Sequence, residues 1–401
     1  MQKVLIIRGK SRYNVLIEAA NQVALGFEAR GYEVKIVDLE NLTSDEFLKE
    51  VSSPYSFLFS FQAIGFETMI LDNQPLVSAI PNTYIGWIFD DVIYHRHRVQ
   101  NVCFDHIYLL VIDKECGRAT EKMYPKISHV NCLHSGGFCV TGTGEKKAEK
   151  EFWSENKKDI DVLFPASLGA RPAFEGYVKN ASQVEGFLAE NTVELLKKRP
   201  YLATRRALEL VIDELGEKLT GGLLHEFTYM ISMVDIYIRW QSRYDVLLAL
   251  LKAGIRVTLI GEGAAYEQLA EEYPGQLHFI GGADILDVVK LTARSKVVIN
   301  PCSIYTEDLH DRLCTAMLCK SVCFTPWSPY LEENYGNCFQ YIKLDNLDEM
   351  TAEIQHILEH PEAVEEQVEA NYTYAMEYHT WKKRGEEIIE FYESQIAPAQ
   401  K

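Results

Sequence analysis

Residues 4–37 read VLIIRGKSRYNVLIEAANQVALGFEARGYEVKIV, and this stretch decides the fold class. The β-branched run at 4–7 predicts a strand, and the apolar periodicity of 15–27 predicts a helix. Gly31 stands where a left-handed helix cap normally lies, and 32–37 predicts a second strand. Strand, helix and strand within about 30 residues form a βαβ unit, which predicts a parallel, Rossmann-like sheet.

The alternation of strands and helices continues on both sides of a charged stretch at 144–159, which we interpret as an interdomain connector. Further strands are predicted at 57–61, 83–89, 107–112, 161–164, 256–260, 276–280, 297–299 and 321–325. We therefore predict an α/β protein of two facing Rossmann-like domains, 1–150 and 160–375. A helical insertion is expected at about 180–250, and a C-terminal helix at 376–401 is expected to pack back toward the first domain.

The composition excludes several classes of protein. Of 401 residues, 40 are Lys or Arg and 58 are Asp or Glu, and the net charge of −18 argues against nucleic acid as a partner. Hydrophobic residues make up 47% and charged residues 24%, as in soluble globular proteins. No apolar run approaches the ~18–20 residues of a membrane-spanning helix, and the start of the chain lacks a secretory signal. We expect a cytoplasmic protein without a membrane span.

The nine cysteines are odd in number and form no Cys-x-x-Cys pair. A secreted disulfide scaffold is normally smaller and has an even number of cysteines, and a structural zinc site needs tighter clustering with histidine. Reduced, buried thiols and no bound metal are the expectation.

The most informative stretch for function is 300–325, NPCSIYTEDLHDRLCTAMLCKSVCFT. It predicts a strand end, a polar loop, a helix that begins near His310, and another strand. A helix N-terminus beside an imidazole and the Arg312 guanidinium favours anions, so the pattern predicts a diphosphate site. The alternative from spacing alone is an ion pair of Arg312 with Glu307 or Asp308 on a solvated face.

Two other loops also follow predicted strands, and open parallel sheets bind ligands beyond the carboxyl ends of their strands. The loop at 8–10 lacks the G-x-G-x-x-G fingerprint, which argues against an NAD-dependent oxidoreductase. The turn at 261–263 has only two glycines, and such turns are common for steric reasons.

Several segments, in order and approximate spacing, resemble the donor-binding region of GT-B glycosyltransferases, and more closely the spore-maturation CgeB-like group. The segments are 161–167 DVLFPAS, 254–263 GIRVTLIGEG, 293–300 ARSKVVIN, 310–312 HDR and 379–384 HTWKKR. The resemblance covers roughly 160–385. It implies the GT-B form of the two-domain fold.

The resemblance implies transfer of a sugar from a nucleoside diphosphate, UDP being expected, to a protein or glycan acceptor held by the first domain. No metal and no further cofactor are implied. His310 and Arg312 would stabilise the leaving diphosphate. The residues expected around the nucleoside are Ser167, Gly261, Glu262, Asn300 and Glu307. Ordinary turn structure is the alternative for these residues.

Three residues depart from the resembled pattern. Retaining enzymes carry two glutamates eight positions apart; Glu307 matches the first, and Thr315 replaces the second. Lys320 stands where glycine is usual, and Pro165 replaces a glycine. Two alternatives therefore stay open: a non-catalytic nucleotide-sugar-binding protein, and a UDP-sugar epimerase on the same scaffold.

An inverting reaction needs a base that takes a proton from the acceptor hydroxyl. Asp90 is the first candidate, because it follows the strand at 83–89 and the sequence WIFDD at 87–91 resembles the family's Trp-x-x-Asp-Asp/Asn-Pro, although Val92 replaces the proline. A helix cap is the alternative for Asp90 or Asp91. His134, in a glycine-rich loop, is the second candidate.

Overall fold

The computed structural model describes residues 2–68, 74–100, 104–301 and 307–400. The chain divides into two compact units. Unit 1 comprises Met1–Phe138 with Glu377–Lys401, and unit 2 comprises Cys139–Met376. Each unit contains a six-stranded parallel sheet with helices, so the predicted α/β class is confirmed. Within the described ranges, no helix is both long enough and apolar enough to cross a membrane.

Ten of the twelve described strands lie close to their predicted positions. The twelve strands are β1 Lys3–Arg8, β2 Glu33–Asp38, β3 Phe57–Phe61, β4 Tyr84–Ile88, β5 Ile107–Val111, β6 Val130–Cys132, β7 Ile160–Pro165, β8 Val257–Ile260, β9 Leu277–Gly281, β10 Ser295–Ile299, β11 Val322–Pro326 and β12 Gln340–Ile342. The short strands β6 and β12 were not predicted.

The α-helices connect these strands. They are α1 Val15–Ala29, α2 Ser44–Val51, α3 Arg96–Val99, α4 Lys114–Met123, α5 Lys146–Glu155, α6 Phe174–Asn180, α7 Gln183–Lys198, α8 Thr204–Glu214, α9 Gly221–Glu226, α10 Thr228–Lys252, α11 Ala264–Glu272, α12 Ile285–Ala293, α13 Asp311–Leu318, α14 Pro329–Tyr335, α15 Leu347–Glu359, α16 Glu365–Tyr378 and α17 Trp381–Phe391.

The sheet of unit 1 has the strand order β2-β1-β3-β4-β5-β6. The chain adds β2 on one side of β1 and then returns to the other side, so the strand order reverses between β1 and β3. Gly31 has a φ of 84° and ends α1 as predicted. The carboxyl ends of β1 and β3 therefore flank the topological switch point at which open sheets bind ligands.

The C-terminal helix α17 packs against α1 in unit 1, as the fold prediction required. Two glycines permit the contact. A Cβ built on Gly26 would lie 2.1 Å from the Lys382 carbonyl oxygen, and one on Gly385 would lie 2.3 Å from the Val23 carbonyl oxygen. The two helix backbones are therefore closer than any larger residue allows.

We expect Gly26→Ala to lower the free energy of unfolding by about 2–3 kcal/mol, because the added methyl group forces the helices apart. Urea unfolding measures the change. Gly176→Ala, in the exposed helix α6, is the matched control, since its Cβ would meet only Ala173 Cβ at 3.9 Å. That variant should be as stable as the parent or slightly more stable. Equal losses in the two variants would contradict the role of close packing.

The sheet of unit 2 has the strand order β12-β11-β10-β7-β8-β9. Strands β8 and β9 lie on one side of β7, and β10 returns to the other side, so the switch point lies between β7 and β10. The five helices α6 to α10 occupy the chain between β7 and β8. The loops that follow β7 and β10 are thus neighbours at the carboxyl edge of this sheet.

The charged stretch 144–159, interpreted as an interdomain connector, contains α5 and lies within unit 2, which begins at Cys139. Glu149 on α5 is buried and accepts hydrogen bonds from the Thr141 backbone and hydroxyl at 3.2 and 2.6 Å. Tyr372 on α16 donates a further bond to Glu149 at 3.3 Å. The buried and hydrogen-bonded Glu149 therefore anchors this charged stretch. Hydrophobic periodicity in the sequence does not reveal such a role.

The expectation of buried, reduced thiols holds for most but not all described cysteines. Cys103 and Cys302 lie outside the described residues. Cys132 is exposed and Cys338 is partly buried, and the buried free cysteines are Cys116, Cys139, Cys314, Cys319 and Cys323.

Lys320 adopts a left-handed conformation with φ 51°, which explains why glycine suits this position at the end of α13. Its Nζ lies 2.6 Å from Glu369 Oε1 and 4.6 Å from the centre of the Tyr372 ring. An ion pair and a cation–π contact therefore offset the backbone strain. The departure from glycine is accommodated at the amino end of β11, and the candidate site lies at the carboxyl ends of the strands.

Lys158 has an unusual environment at the start of unit 2's sheet. Its Nζ donates to the Cys319 carbonyl oxygen at 2.7 Å and to Ser321 Oγ at 2.9 Å. Burial lowers the pKa of Lys158 to about 7; Cys319 opposes this lowering, and the Lys320 charge adds to it to a lesser extent. Above pH 7 the folded protein therefore holds a neutral amine.

We expect this lysine to make stability rise between pH 7 and 10. In that range the unfolded chain still binds a proton at residue 158 and the folded protein does not, so the unfolding free energy increases with pH. The slope from one group is at most about 1.4 kcal/mol per pH unit. Urea unfolding of the parent and Lys158→Met at pH 6 to 9 measures it: the difference between the two should change with pH. Parallel stability curves would contradict the expectation.

Candidate functional site

Asn300 follows β10 at the switch point of unit 2 and is buried. Its backbone N–H donates to the Phe324 carbonyl oxygen at 2.7 Å, and its Nδ2 donates to Thr325 Oγ1 at 3.0 Å. The remaining amide oxygen accepts a hydrogen bond from Arg312 Nη1. Because a guanidinium can only donate, the Asn300 amide has one orientation, and it fixes the Arg312 head group beside the strand end.

His310 is the N-cap of α13. Its Nδ1 lies 3.2 Å from the Arg312 backbone nitrogen and 2.6 Å from Asp311 Oδ1. A neutral ring accepts from the backbone N–H, and a protonated ring pairs with the carboxylate. Burial opposes ionisation of Asp311, but the charge and hydrogen bond of His310, with a smaller effect of Arg312, outweigh it and lower the Asp311 pKa. The predicted imidazole and guanidinium therefore lie together at a helix N-terminus.

Glu307 and Asp308 were the ion-pair alternative for Arg312. Asp308 is buried and Glu307 is partly buried, and residues 302–306 lie outside the described residues. Thr315, which replaces the second glutamate of the resembled pattern, is buried in α13. Among the described contacts, Arg312 Nη1 donates to the Asn300 amide oxygen.

Ser167, Gly261 and Glu262 are brought together where the loops after β7 and β8 meet. Ser167 Oγ accepts from the Glu262 backbone N–H at 3.1 Å, and the Glu262 carbonyl accepts from Leu168 N at 2.9 Å. A Cβ on Gly261 would lie 2.4 Å from the Ala166 carbonyl oxygen, so only glycine fits. The turn-structure alternative thus accounts for Ser167 and Gly261, whereas the Glu262 side chain is exposed.

Sequence reasoning missed Arg243, which lies on α10. Its Nη1 donates to the Ser167 carbonyl oxygen. Buried Tyr266 donates to the neighbouring Ala166 carbonyl oxygen at 2.7 Å. Burial raises the Tyr266 pKa, and the charges of Arg243 and Arg312 both oppose this rise. Two guanidinium groups therefore lie within electrostatic reach of one phenol at the switch point.

The first candidate base, Asp90, follows β4 in unit 1. Its Oδ2 accepts from Gln62 Nε2 at 2.7 Å and lies 3.2 Å from His95 Nε2, and its side chain is 49% exposed. The cap belongs to the next residue, because Asp91 accepts from the Ile93 backbone N–H at 3.0 Å. The helix-cap alternative therefore applies to Asp91.

The second candidate base, His134, follows β6 and lies near the tail motif. Burial lowers the pKa of His379 to about 3, with further effects of Arg384 and His134. Arg384 donates to His379 Nδ1 at 2.9 Å and to the Ser135 carbonyl oxygen at 3.2 Å. The His-Thr-Trp and Arg residues thus hold the C-terminal helix to the glycine-rich loop, and His134 borders this structural contact.

One part of the chain matches a known family model. Residues 243–390 match the model described as "Glycosyl transferase-like". This range contains Arg243, Gly261, Glu262, Asn300 and Arg312. Comparison with curated protein sequences finds no match.

Solved structures resemble the chain over almost its whole length. Sucrose-phosphate synthase from Thermosynechococcus elongatus has a TM-score of 0.55 at 10% identity, covering 99% of this chain and 100% of that one. Anabaena HepE in complex with UDP-glucose has a TM-score of 0.53 at 10% identity, with coverages of 98% and 100%. An alpha-glucosyltransferase in complex with UDP-glucose and DNA has 0.57 at 9%, with coverages of 97% and 98%. The chain therefore has the fold of GT-B glycosyltransferases.

Proposed function

We propose that this protein transfers a sugar from a nucleoside-diphosphate donor, with UDP as the expected nucleotide, to a protein or glycan acceptor. The observation that carries the proposal is the Arg312 guanidinium, which Asn300 holds at the switch point of unit 2's sheet. The match of 243–390 to a glycosyl transferase-like model supports it. Membership of the CgeB-like group is part of the same proposal.

The proposed role of the cations follows from charge. Breaking the bond between the sugar and the diphosphate leaves negative charge on the phosphate oxygens, and fixed cations stabilise that charge in the transition state. Arg312 and Arg243 would supply two guanidinium groups, His310 would supply a ring N–H, and the positive end of the α13 dipole would add to the field. We propose that these groups take the place that a divalent cation holds in metal-dependent transferases.

The remaining site residues have supporting roles in the proposal. Glu262 and Glu307 would accept hydrogen bonds from ribose hydroxyls, while Ser167 and Gly261 shape the turn beside the nucleoside. Asp90 on unit 1 would take the proton of the acceptor hydroxyl in an inverting reaction. The Asp90 side chain is partly exposed and accepts a hydrogen bond from Gln62 Nε2, and both features favour an ionised carboxylate.

A donor screen tests the proposal. The purified protein is incubated with a panel of UDP-linked sugars, and free UDP is measured with and without glycan acceptors, while thermal shift reports binding of UDP. Turnover with one sugar supports the transferase. Interconversion of the donor without an acceptor indicates an epimerase. If UDP and the other nucleoside diphosphates neither turn over nor raise the unfolding temperature, the donor site is wrong.

One observation favours a second candidate, a non-catalytic nucleotide-sugar-binding protein. Thr315 is buried in α13, where the resembled retaining pattern has a glutamate. Saturable binding of a UDP-sugar without release of UDP, under any acceptor condition, would select this candidate.

A further inference from the structure

Gln62 ends β3 at the switch point of unit 1 in an unusual backbone conformation. It has φ 54°, and Ala63 follows with φ 48°. Residues with a Cβ rarely adopt this left-handed conformation, and when they do the surrounding structure must hold them there. Tyr13 and Asn14, in the loop after β1, share it with φ of 56° and 59°. Strained backbone is therefore found after both strands that flank this switch point.

Four hydrogen bonds hold Gln62, whose side chain is buried. Its backbone N–H donates to the Trp87 carbonyl oxygen at 2.6 Å, and its carbonyl accepts from Arg98 Nη1 at 2.8 Å. Its Oε1 accepts from the Phe89 backbone N–H at 3.2 Å, and its Nε2 donates to Asp90 Oδ2 at 2.7 Å. Since Phe89 N–H can only donate, the amide orientation is fixed, and Nε2 must face the carboxylate.

We propose that Gln62 is a positioning residue that holds the Asp90 carboxylate ready to accept a proton. The inference rests on the proposed function, in which Asp90 is the base. Gln62 bridges the ends of β3 and β4, so the strained turn and the carboxylate form one rigid unit. A base must be held in hydrogen-bonding geometry to the acceptor hydroxyl, and a buried amide achieves this without adding charge.

The charged residues around Gln62 and Asp90 determine how a substitution of Gln62 changes the ionisation of Asp90. His95 Nε2 lies on the same Asp90 oxygen, and Arg98, which bonds the Gln62 carbonyl, also pairs with Glu67 at 3.1 Å. Gln62→Glu keeps the acceptor for the Phe89 N–H but places a carboxylate against Asp90. Two carboxylates in hydrogen-bonding distance repel each other, so a proton is bound between them and the pKa of Asp90 rises. Asp90 would then be ionised, and able to accept a proton, only at higher pH.

The test measures UDP release as a function of pH, with the donor identified by the screen. For Gln62→Glu we expect the acid limb of the kcat profile to move up by about one pH unit, so that kcat measured on that limb falls about tenfold, with the donor KM unchanged. Gln22→Glu is the matched control. Gln22 is a buried glutamine of unit 1 that donates to Glu18 at 2.9 Å on α1, so the change again sets carboxylate against carboxylate. It should leave the kinetic profile as in the parent.

A second variant keeps the inference testable if Gln62→Glu does not fold. Asparagine tolerates the left-handed conformation, but its amide is one methylene too short to bridge Phe89 and Asp90. Gln62→Asn should fold and lose about tenfold in kcat at unchanged donor KM. Parental kcat and pH profile in both variants would overturn the positioning role while the transferase stands. Absence of turnover in the parent would overturn both proposals.

Discussion

Arg312→Ala is expected to weaken the binding of UDP by about 100-fold or more. The substitution removes a guanidinium that makes charge-assisted hydrogen bonds to the diphosphate, and such bonds contribute about 3 kcal/mol in a partly buried site. Asn300 holds the guanidinium at the strand end, so little conformational entropy is lost when the ligand binds. Isothermal titration calorimetry with UDP measures the change directly.

Two further variants show whether the loss of UDP affinity in Arg312→Ala is specific to the Arg312 guanidinium. Arg312→Lys keeps a positive charge but loses the planar fork, so we expect it to recover part of the affinity. Arg294→Ala removes an exposed arginine of the same unit that pairs with Asp159 at 2.6 Å, and it should bind UDP as the parent does. If Arg312→Ala also binds UDP as tightly as the parent, Arg312 does not contact the diphosphate.

Ten of the twelve described strands were predictable from sequence, because most of these ten are buried on both faces. β3, β4 and β5 are buried at every position, and such strands read as short, continuous apolar runs. The position of α13 was also predictable, since His310 and Arg312 mark a helix start. Because βαβ connections make the strands parallel, their carboxyl ends lie at one end of the sheet, and the loops that carry the candidate site could be inferred as well.

Arg243 was not predictable, because its role depends on a contact between segments far apart in the chain. In the sequence, Arg243 is one of several charged residues in the helical stretch between β7 and β8. In the structure it bonds the Ser167 carbonyl oxygen, 76 residues away. Charge alone does not separate such a residue from arginines on a solvated helix face. Only the folded path of α10 does so.

The backbone strain at Gln62 was hidden for a different reason. A glutamine after an apolar strand carries no signal for a positive φ, whereas glycine or asparagine would. The left-handed conformation of Lys320 was not predictable from its residue type either. The sequence shows only that lysine stands where glycine is usual, and the structure shows the ion pair with Glu369 that stabilises this conformation. Local propensity is overruled where tertiary contacts hold the backbone.

Asp90→Asn is expected to lower kcat by about 10²–10⁴-fold while leaving the affinity for UDP unchanged. The amide has the shape of the carboxyl group and can still accept the Gln62 Nε2–H, but it cannot take a proton from an acceptor hydroxyl. The loss should therefore appear in turnover and in the acid limb of the pH profile, which depends on ionisation of this carboxyl. Initial rates of UDP release at saturating donor measure it.

Asp91→Asn is the control for this substitution, because it makes the same chemical change at the adjacent residue. Asp91 caps the following helical turn through the Ile93 N–H, and asparagine caps equally well. Parental turnover in Asp91→Asn together with a large loss in Asp90→Asn assigns the proton transfer to one carboxylate. If Asp90→Asn keeps turnover within twofold of the parent, Asp90 is not the base, and the positioning role of Gln62 is then wrong as well.

His134→Asn would then test the remaining candidate for the base. A loss of kcat in this variant without a loss of stability would assign the base to His134 in the loop after β6 instead of Asp90 in the loop after β4.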